Sequence, residues 1–251
     1  MERADRQAVA TFFCTDELIA GDHISLGDEA AQHARVLRIG PGSPVELRNG
    51  TGGAARGRIA RLSKRSVMID IEEVWSLPAP PAVHLLVPVA DRERMLMLAE
   101  KVTELGAASW RPVMWRRSKS VEGRGEGPTF VGRIRARMIS ALTQSRGGWL
   151  PEIHPSASVS RAIAAAPSGT RLLLDAVATQ TMLAVEPVFP LVIALGPEGG
   201  LAEDERQEMI DAGFTPVRLA SSVLRFETAG VAAVAIARAM AESTIHEPVS
   251  P

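Results

Sequence analysis

One cysteine, Cys14, stands in 251 residues. A lone thiol excludes an internal disulfide and a cysteine-based zinc site. Long hydrophobic runs are missing as well. The most apolar stretches, Pro190–Leu195 and Ala229–Ala241, are too short or, at Arg238, too interrupted to cross a bilayer. The first residues, MERADRQ, are charged with no apolar stretch behind them, so no signal peptide and a cytoplasmic location are expected. There is no internal repeat and no low-complexity tract. His23, His33, His84, His154 and His246 lack ligand spacing, so no metal is expected. A nucleophile-elbow motif for Ser-His-Asp hydrolysis is also missing. Disorder is excluded by composition, with 46% hydrophobic and 23% charged residues. This length suits one large or two modest domains.

Net charge is only −1, which taken alone argues against a polyanionic partner. The distribution argues for one. Residues 85–151 carry twelve Lys and Arg against six Asp and Glu, and residues 152–251 carry the reverse. A basic middle beside an acidic end points to a polyanion at one surface.

Residues 9–75 read as short strands with turn signals about every ten residues, the pattern of a small barrel. Ala10–Phe13 is apolar, a short helix is expected over Asp28–Leu37, and Asn49-Gly50 signals a type I′ hairpin. Val67, Ile69 and Ile71 alternate with polar neighbours. The proline-rich SLPAPPA (76–82) is a linker candidate, giving an expected division at 1–76, 77–82 and 83–251. Beyond it strands and helices alternate, as in a mostly parallel sheet covered by helices. Asp91 can cap a helix running to Leu105, stopped by Gly106. A helix over Thr129–Ser145 should turn Val131, Ile134, Met138 and Leu142 inward.

Two loops carry chemistry. In LVIALGPEGGLAEDE (191–205) a buried strand runs into Gly196-Pro197-Glu198-Gly199-Gly200, and a helix follows near Glu203. Ligands bind beyond the carboxyl ends of such strands, where glycines admit close approach. Neither GxGxxG nor GxxxxGK[ST] is present, and Glu203, Asp204 and Glu205 in the first helical turn repel phosphate. A neutral or cationic ligand fits better than a nucleotide phosphate. In RLASSVLRFETAG (218–230) a second strand leads through a polar loop to Arg225 and Glu227, which flank an Ala-rich helix over Thr228–Glu242. That helix suits close packing, with a dimer interface one use for it. The bland alternative is a surface ion pair between Arg225 and Glu227, with Thr228 as cap.

GPEGG followed some twenty residues later by LxxxxLRxETA resembles the carboxyl half of the SPOUT class of RNA methyltransferases. Within it the chain is similar to the RsmE family, which methylates N3 of a uridine in 16S ribosomal RNA. HARVLRIGPGSPVELRNGTGG (33–53) resembles that family's amino-terminal PUA-like domain, and EKVTELGA (100–107), RRS (116–118) and QSRGGWLP (144–151) its central segments.

The resemblance implies a fold, a cofactor and a site. The fold is α/β: a trefoil-knotted SPOUT methyltransferase domain with a smaller amino-terminal β-barrel (PUA-like) domain. The cofactor is S-adenosylmethionine, held by Leu174, Leu195, Gly196, Pro197, Glu198, Gly199, Gly200, Leu219, Ala220, Val223 and Leu224. Arg225 would stabilise the uracilate or hold RNA, and Glu227 would orient Arg225 or take the proton. RNA contacts are expected from His33, Arg35, Arg38, Arg116, Arg117, Ser118, Lys119 and Arg146. The partners implied are the small ribosomal subunit's 16S RNA and a second copy of the chain, with no membrane. Against the usual LGxRxLRTETA and QSGR, this chain has Ala220, Ser222, Phe226 and Arg146-Gly147. A SPOUT enzyme acting on another nucleotide, or a ribosome-assembly factor with weakened catalysis, therefore stays open.

Overall fold

A computed structural model describes residues 9–118 and 127–245. The chain forms two compact units. In the first, covering residues up to Ala79 with Leu142–Leu150, five strands follow the order β1-β3-β4-β5-β2. They are β1 (Ala10–Phe13), β2 (His23–Leu26), β3 (Pro44–Arg48), β4 (Gly53–Leu62) and β5 (Val67–Ser76). Only β1 and β3 run parallel. The β4–β5 register slips between Arg56 and Gly57 and again between Ile59 and Arg61. At the first slip a Cβ on Gly57 would lie 2.1 Å from the Asp70 carbonyl oxygen, so only glycine fits there. Such bulges bend and twist a sheet, and this one curls into a half-barrel, the form taken by the expected barrel.

Val67, Ile69 and Ile71 face inward as their alternation requires, joining Phe12, Leu47, Ile59 and Cys14 in one core. Helix α1 (Asp28–Val36) covers it with Ala34. The Asn49 turn differs from the two-residue hairpin expected. Four residues, 49–52, separate β3 from β4, and Asn49 Oδ1 accepts from both Thr51 N and Gly53 N. The side chain thus reinforces a turn that the backbone also closes, Asn49 N donating to the Gly53 carbonyl at 3.1 Å.

The second unit, Pro80–Ala141 with Pro151 onward, holds a seven-stranded parallel sheet. Its path is β12-β10-β11-β6-β7-β8, with β9 also on β7. The strands are β6 (Val83–Pro88), β7 (Ser109–Met114), β8 (Glu152–Ile153), β9 (Ala157–Ser158), β10 (Thr170–Leu174), β11 (Leu191–Leu195) and β12 (Thr215–Val217). The helices are α2 (Arg92–Glu104), α3 (Pro128–Ser145, whose residues from Leu142 on fall in the first unit), α4 (Val159–Ala164), α5 (Glu203–Asp211) and α6 (Phe226–Ile245). One sheet face meets α4 and α5 through Leu86, Leu173, Val192 and Ala194 against Ala162 and Met209, with Phe214 joining just after α5. On the other face α6 crosses α2 closely, because a Cβ on Gly230 would lie 2.7 Å from Leu98 Cδ1. Arg238 of α6 donates from Nε to the Leu105 carbonyl at 2.8 Å, and its other nitrogens reach Pro81 and Gly106. The contacts to Leu105 and Gly106 satisfy carbonyls just past the end of α2.

Two expectations are corrected. Val131 is 44% exposed, and Phe130 takes the inward place beside Ile134, Met138 and Leu142. Helix α6 starts at Phe226 rather than Thr228, so Thr228 is not its cap and Glu227 lies inside the first turn.

Candidate active site

Strands β12, β10 and β11 lie side by side and parallel, so the loops after Val217, Leu174 and Leu195 leave the sheet at one edge. They enclose a cavity of about 910 Å³. This is the strand-end crevice where open α/β sheets take ligands. Of the eleven residues expected to hold a cofactor, Leu174, Leu195, Gly196, Pro197, Glu198, Gly200, Leu219, Ala220, Val223 and Leu224 line it. Gly199 does not. A Cβ there would meet the Arg117 backbone oxygen at 3.1 Å, so Gly199 admits the neighbouring loop rather than the cavity's occupant. The left-handed turn belongs to Gly200, at φ +72°, whose N–H donates to the Pro197 carbonyl at 2.9 Å.

Arg225 lines the cavity, is exposed, and immediately precedes α6. Its carbonyl accepts the helix's first hydrogen bond, from Ala229 N at 2.8 Å. Glu227 is only 6% exposed and is not among the lining residues. Its carboxylate faces Arg94, with Nε 3.9 Å from Oε1, and Oε2 is buried without a hydrogen-bond partner among the described residues. The expected pairing of Glu227 with Arg225 is therefore replaced by a pairing with Arg94. Arg225 precedes α6 and is exposed, whereas Glu227 lies in the first turn and is buried.

Arg94 also ion-pairs with Glu198 of the glycine-rich loop and lines the cavity. It went unnoticed in the sequence, although a signal existed. Asp91 caps α2, accepting from Glu93 N and Arg94 N, so the helix starts at the carboxyl end of β6, next to β11. Asp175, Arg206 and Arg218 were missed too. Asp175 accepts from Arg206 Nε at 2.8 Å, bracing the loop after β10.

The acids after the glycines divide their tasks. Glu203 borders the cavity. Asp204 accepts from both arms of Arg116, one at 2.9 Å, and this cation holds its carboxyl below the usual carboxylate range. Glu205 turns inward instead. Apolar Leu174, Leu195, Leu219 and Leu224 share the lining with carboxylates of Asp175, Glu198 and Glu203 and cations of Arg94, Arg206, Arg218 and Arg225. Such a mixture suits a zwitterion with an apolar body.

The residues expected to meet RNA are dispersed. Arg116 is tied to Asp204, Arg117 Nη1 reaches the Gly199 carbonyl at 3.5 Å, and Ser118 Oγ accepts from Trp115 N at 3.3 Å. Lys119 lies outside the described residues. In the first unit His33 sets its ring edge-on to Phe12 at 5.5 Å, and Arg35 donates to the Ser63 and Lys64 carbonyls. Arg38 and Arg146 are exposed residues with φ of 57° and 59°, following α1 and α3. Among the described residues no cluster of His, Cys, Asp or Glu could hold a metal, and no helix is long and apolar enough to cross a membrane.

Residues 78–238 match the RNA methyltransferase domain family, and residues 26–72 match the RNA methyltransferase PUA domain. Ribosomal RNA small subunit methyltransferase E of Mycobacterium bovis is 31% identical over 238 residues, 90% of each chain. The enzyme of that name from Neisseria gonorrhoeae, solved bound to S-adenosylmethionine, superposes with a TM-score of 0.83 at 27% identity. The match covers 92% of this chain and 98% of that one. A Legionella pneumophila protein in complex with the same cofactor gives 0.84 at 27% identity, over 92% and 97%.

Proposed function

The chain belongs to the RNA methyltransferase family, and we propose that it carries a methyl group from S-adenosylmethionine to N3 of a uridine in 16S ribosomal RNA. The observation that carries this reading is the cavity at the ends of β10, β11 and β12, with Arg225 at its rim. Its residues fit the cofactor. Leucines from three loops offer an apolar bed for adenosine, and Asp175, Glu198 and Glu203 compensate positive charge. When bound, the cofactor supplies an electrophilic methyl group.

The chain's own residues do the rest. Uracil N3 must pass its proton to solvent, which leaves negative charge on the ring oxygens. Arg225, a guanidinium with no side-chain partner among the described residues, can stabilise that charge. The amino end of α6 adds positive potential at the same place. The loops hold the base in line with the methyl group. Arg94 keeps Glu198 and Glu227 in register around the cavity.

His33, Arg35, Arg38, Arg116, Arg117, Ser118, Lys119 and Arg146 hold the RNA in this reading, chiefly through phosphates. Residues 1–76 serve as the RNA-holding domain and 83–251 as the knotted catalytic domain, joined by 77–82. The active form is a homodimer, and the site of action is the cytoplasm. Nucleoside mass spectrometry of 16S RNA from a deletion strain tests the reading. Complementation should restore 3-methyluridine. Restoration of a different methylated nucleoside would reassign the target, and failure to bind the cofactor would leave an assembly factor without methyl transfer.

A further inference from the structure

Glu205 is a carboxylate at the first turn of α5, only 7% exposed, and its two oxygens serve two different loops. Oε2 accepts from Ala202 N at 3.3 Å, closing the end of the glycine-rich loop. Oε1 accepts from Arg116 N at 2.7 Å, which anchors the backbone of the basic segment after β7. Ala202 has no side-chain acceptor of its own, so the capping at this helix start comes wholly from Glu205.

Three further contacts join the same region. Asp204 pairs with the Arg116 guanidinium. Gly199 lies so close to Arg117 that a Cβ would stand 3.1 Å from its carbonyl oxygen and 3.2 Å from its Cβ. Arg117 in turn donates to the Gly199 carbonyl. The basic segment and the cavity's glycine-rich wall therefore share one backbone framework, with a buried carboxylate at its centre.

We propose that Glu205 is a positioning residue that couples the two binding events, so that filling the cavity and seating RNA on Arg116–Ser118 favour each other. This rests on the reading of the cavity as the cofactor pocket and of the segment as an RNA contact. The physical cause is ordering. A ligand that fixes the glycine-rich loop fixes the Ala202 amide, hence Glu205, hence the Arg116 backbone. The second ligand then meets a segment already in place.

The test measures affinity for small ribosomal subunits lacking the methyl group, with and without S-adenosylhomocysteine. In the unaltered protein the nucleoside should tighten subunit binding at least about fivefold, and subunits should tighten nucleoside binding by the same factor. Glu205→Gln keeps one acceptor but turns an NH₂ toward the other amide, so the factor should fall toward one. Its affinity for the nucleoside alone should stay within about twofold. Its KM for subunits should rise at saturating S-adenosylmethionine while kcat holds. Glu205→Ala should go further the same way, and should it fail to fold, the Gln variant decides alone. Arg116→Ala removes the Asp204 pair but keeps the backbone amide, so it should weaken subunit binding and retain the factor. An unchanged factor in Glu205→Gln, or no factor in the unaltered protein, overturns the proposal. Failure of the unaltered protein to bind the nucleoside at all would instead overturn the reading of the cavity, and the coupling with it.

Discussion

Arg94 Nε stands 3.9 Å from Glu227 Oε1, and this pair joins the start of α2 to the start of α6 beside the cavity. Glu227 is buried with Oε2 unpartnered among the described residues, so Arg94 supplies its compensating charge. A buried carboxylate stripped of its cation is costly. Arg94→Ala should therefore destabilise the protein by about 1–3 kcal/mol, the lower end reflecting the partial exposure of Arg94. Adding Glu227→Gln should recover most of that loss. Denaturant unfolding of the four proteins in the cycle measures it, and a zero interaction energy would show that the two groups act separately.

Arg38 and Arg146 occupy positions that usually belong to glycine. Each follows a helix with positive φ, and the next amide reaches back into the last turn: Ile39 N to the Ala34 carbonyl and Gly147 N to that of Leu142, both at 3.0 Å. This is the Schellman arrangement, with arginine where a Cβ is strained. The inverted Arg146-Gly147 order puts the glycine one place late. Arg38→Gly and Arg146→Gly should each raise stability by about 1 kcal/mol while weakening binding to small subunits. Thermal unfolding and subunit affinity read the two effects separately. A loss of stability would mean that the arginine side chains offset the strain.

Much of this was legible because local rules decided it. The alternation of Val67, Ile69 and Ile71, the Asp91 cap and the buried run Leu191–Leu195 each follow from periodicity or capping. The three cavity loops follow from where parallel strands end. What escaped depended on contacts between distant segments. Val131 and Phe130 both fit a helical stripe, and only packing selects Phe130. Glu227 sits two residues from Arg225, yet its partner is Arg94, far away in the chain. The inward turn of Glu205 answers a backbone amide of β7's loop, which no residue pattern displays.

Cys14 offers a pH test of the first unit's core. Burial, reinforced by the charge of Asp16, pushes its thiol from 9.0 up to about 11. The native state thus holds the proton more tightly than the unfolded chain. The associated stability is complete below pH 9 and is lost as pH rises through about 11. A shift of this size corresponds to about 2–3 kcal/mol. Between pH 8.5 and 10.5 the unaltered protein should lose stability faster than Cys14→Ala, and folded Cys14 should resist iodoacetamide. Parallel stability curves would show that the thiol contributes nothing to the pH response.

Arg225→Ala is the direct test of the chemistry. The residue sits at the cavity rim, just before α6, exposed and with no side-chain partner among the described residues, so its removal leaves no buried charge stranded. Stability and cofactor affinity should hardly move. Its loss is felt only when negative charge develops on uracil, and a contact of that kind is worth ~10²–10³ in turnover. Glu227→Gln acts instead through Arg94, so it should change turnover less, and its effect should add to that of Arg225→Ala. Single-turnover transfer to small subunits lacking the methyl group separates binding from reaction. If the chemical step at saturation is untouched and only subunit affinity falls, Arg225 anchors RNA rather than stabilising the reacting base. If the two variants prove strongly non-additive, Glu227 acts on Arg225 after all, through a rearrangement that substrate induces.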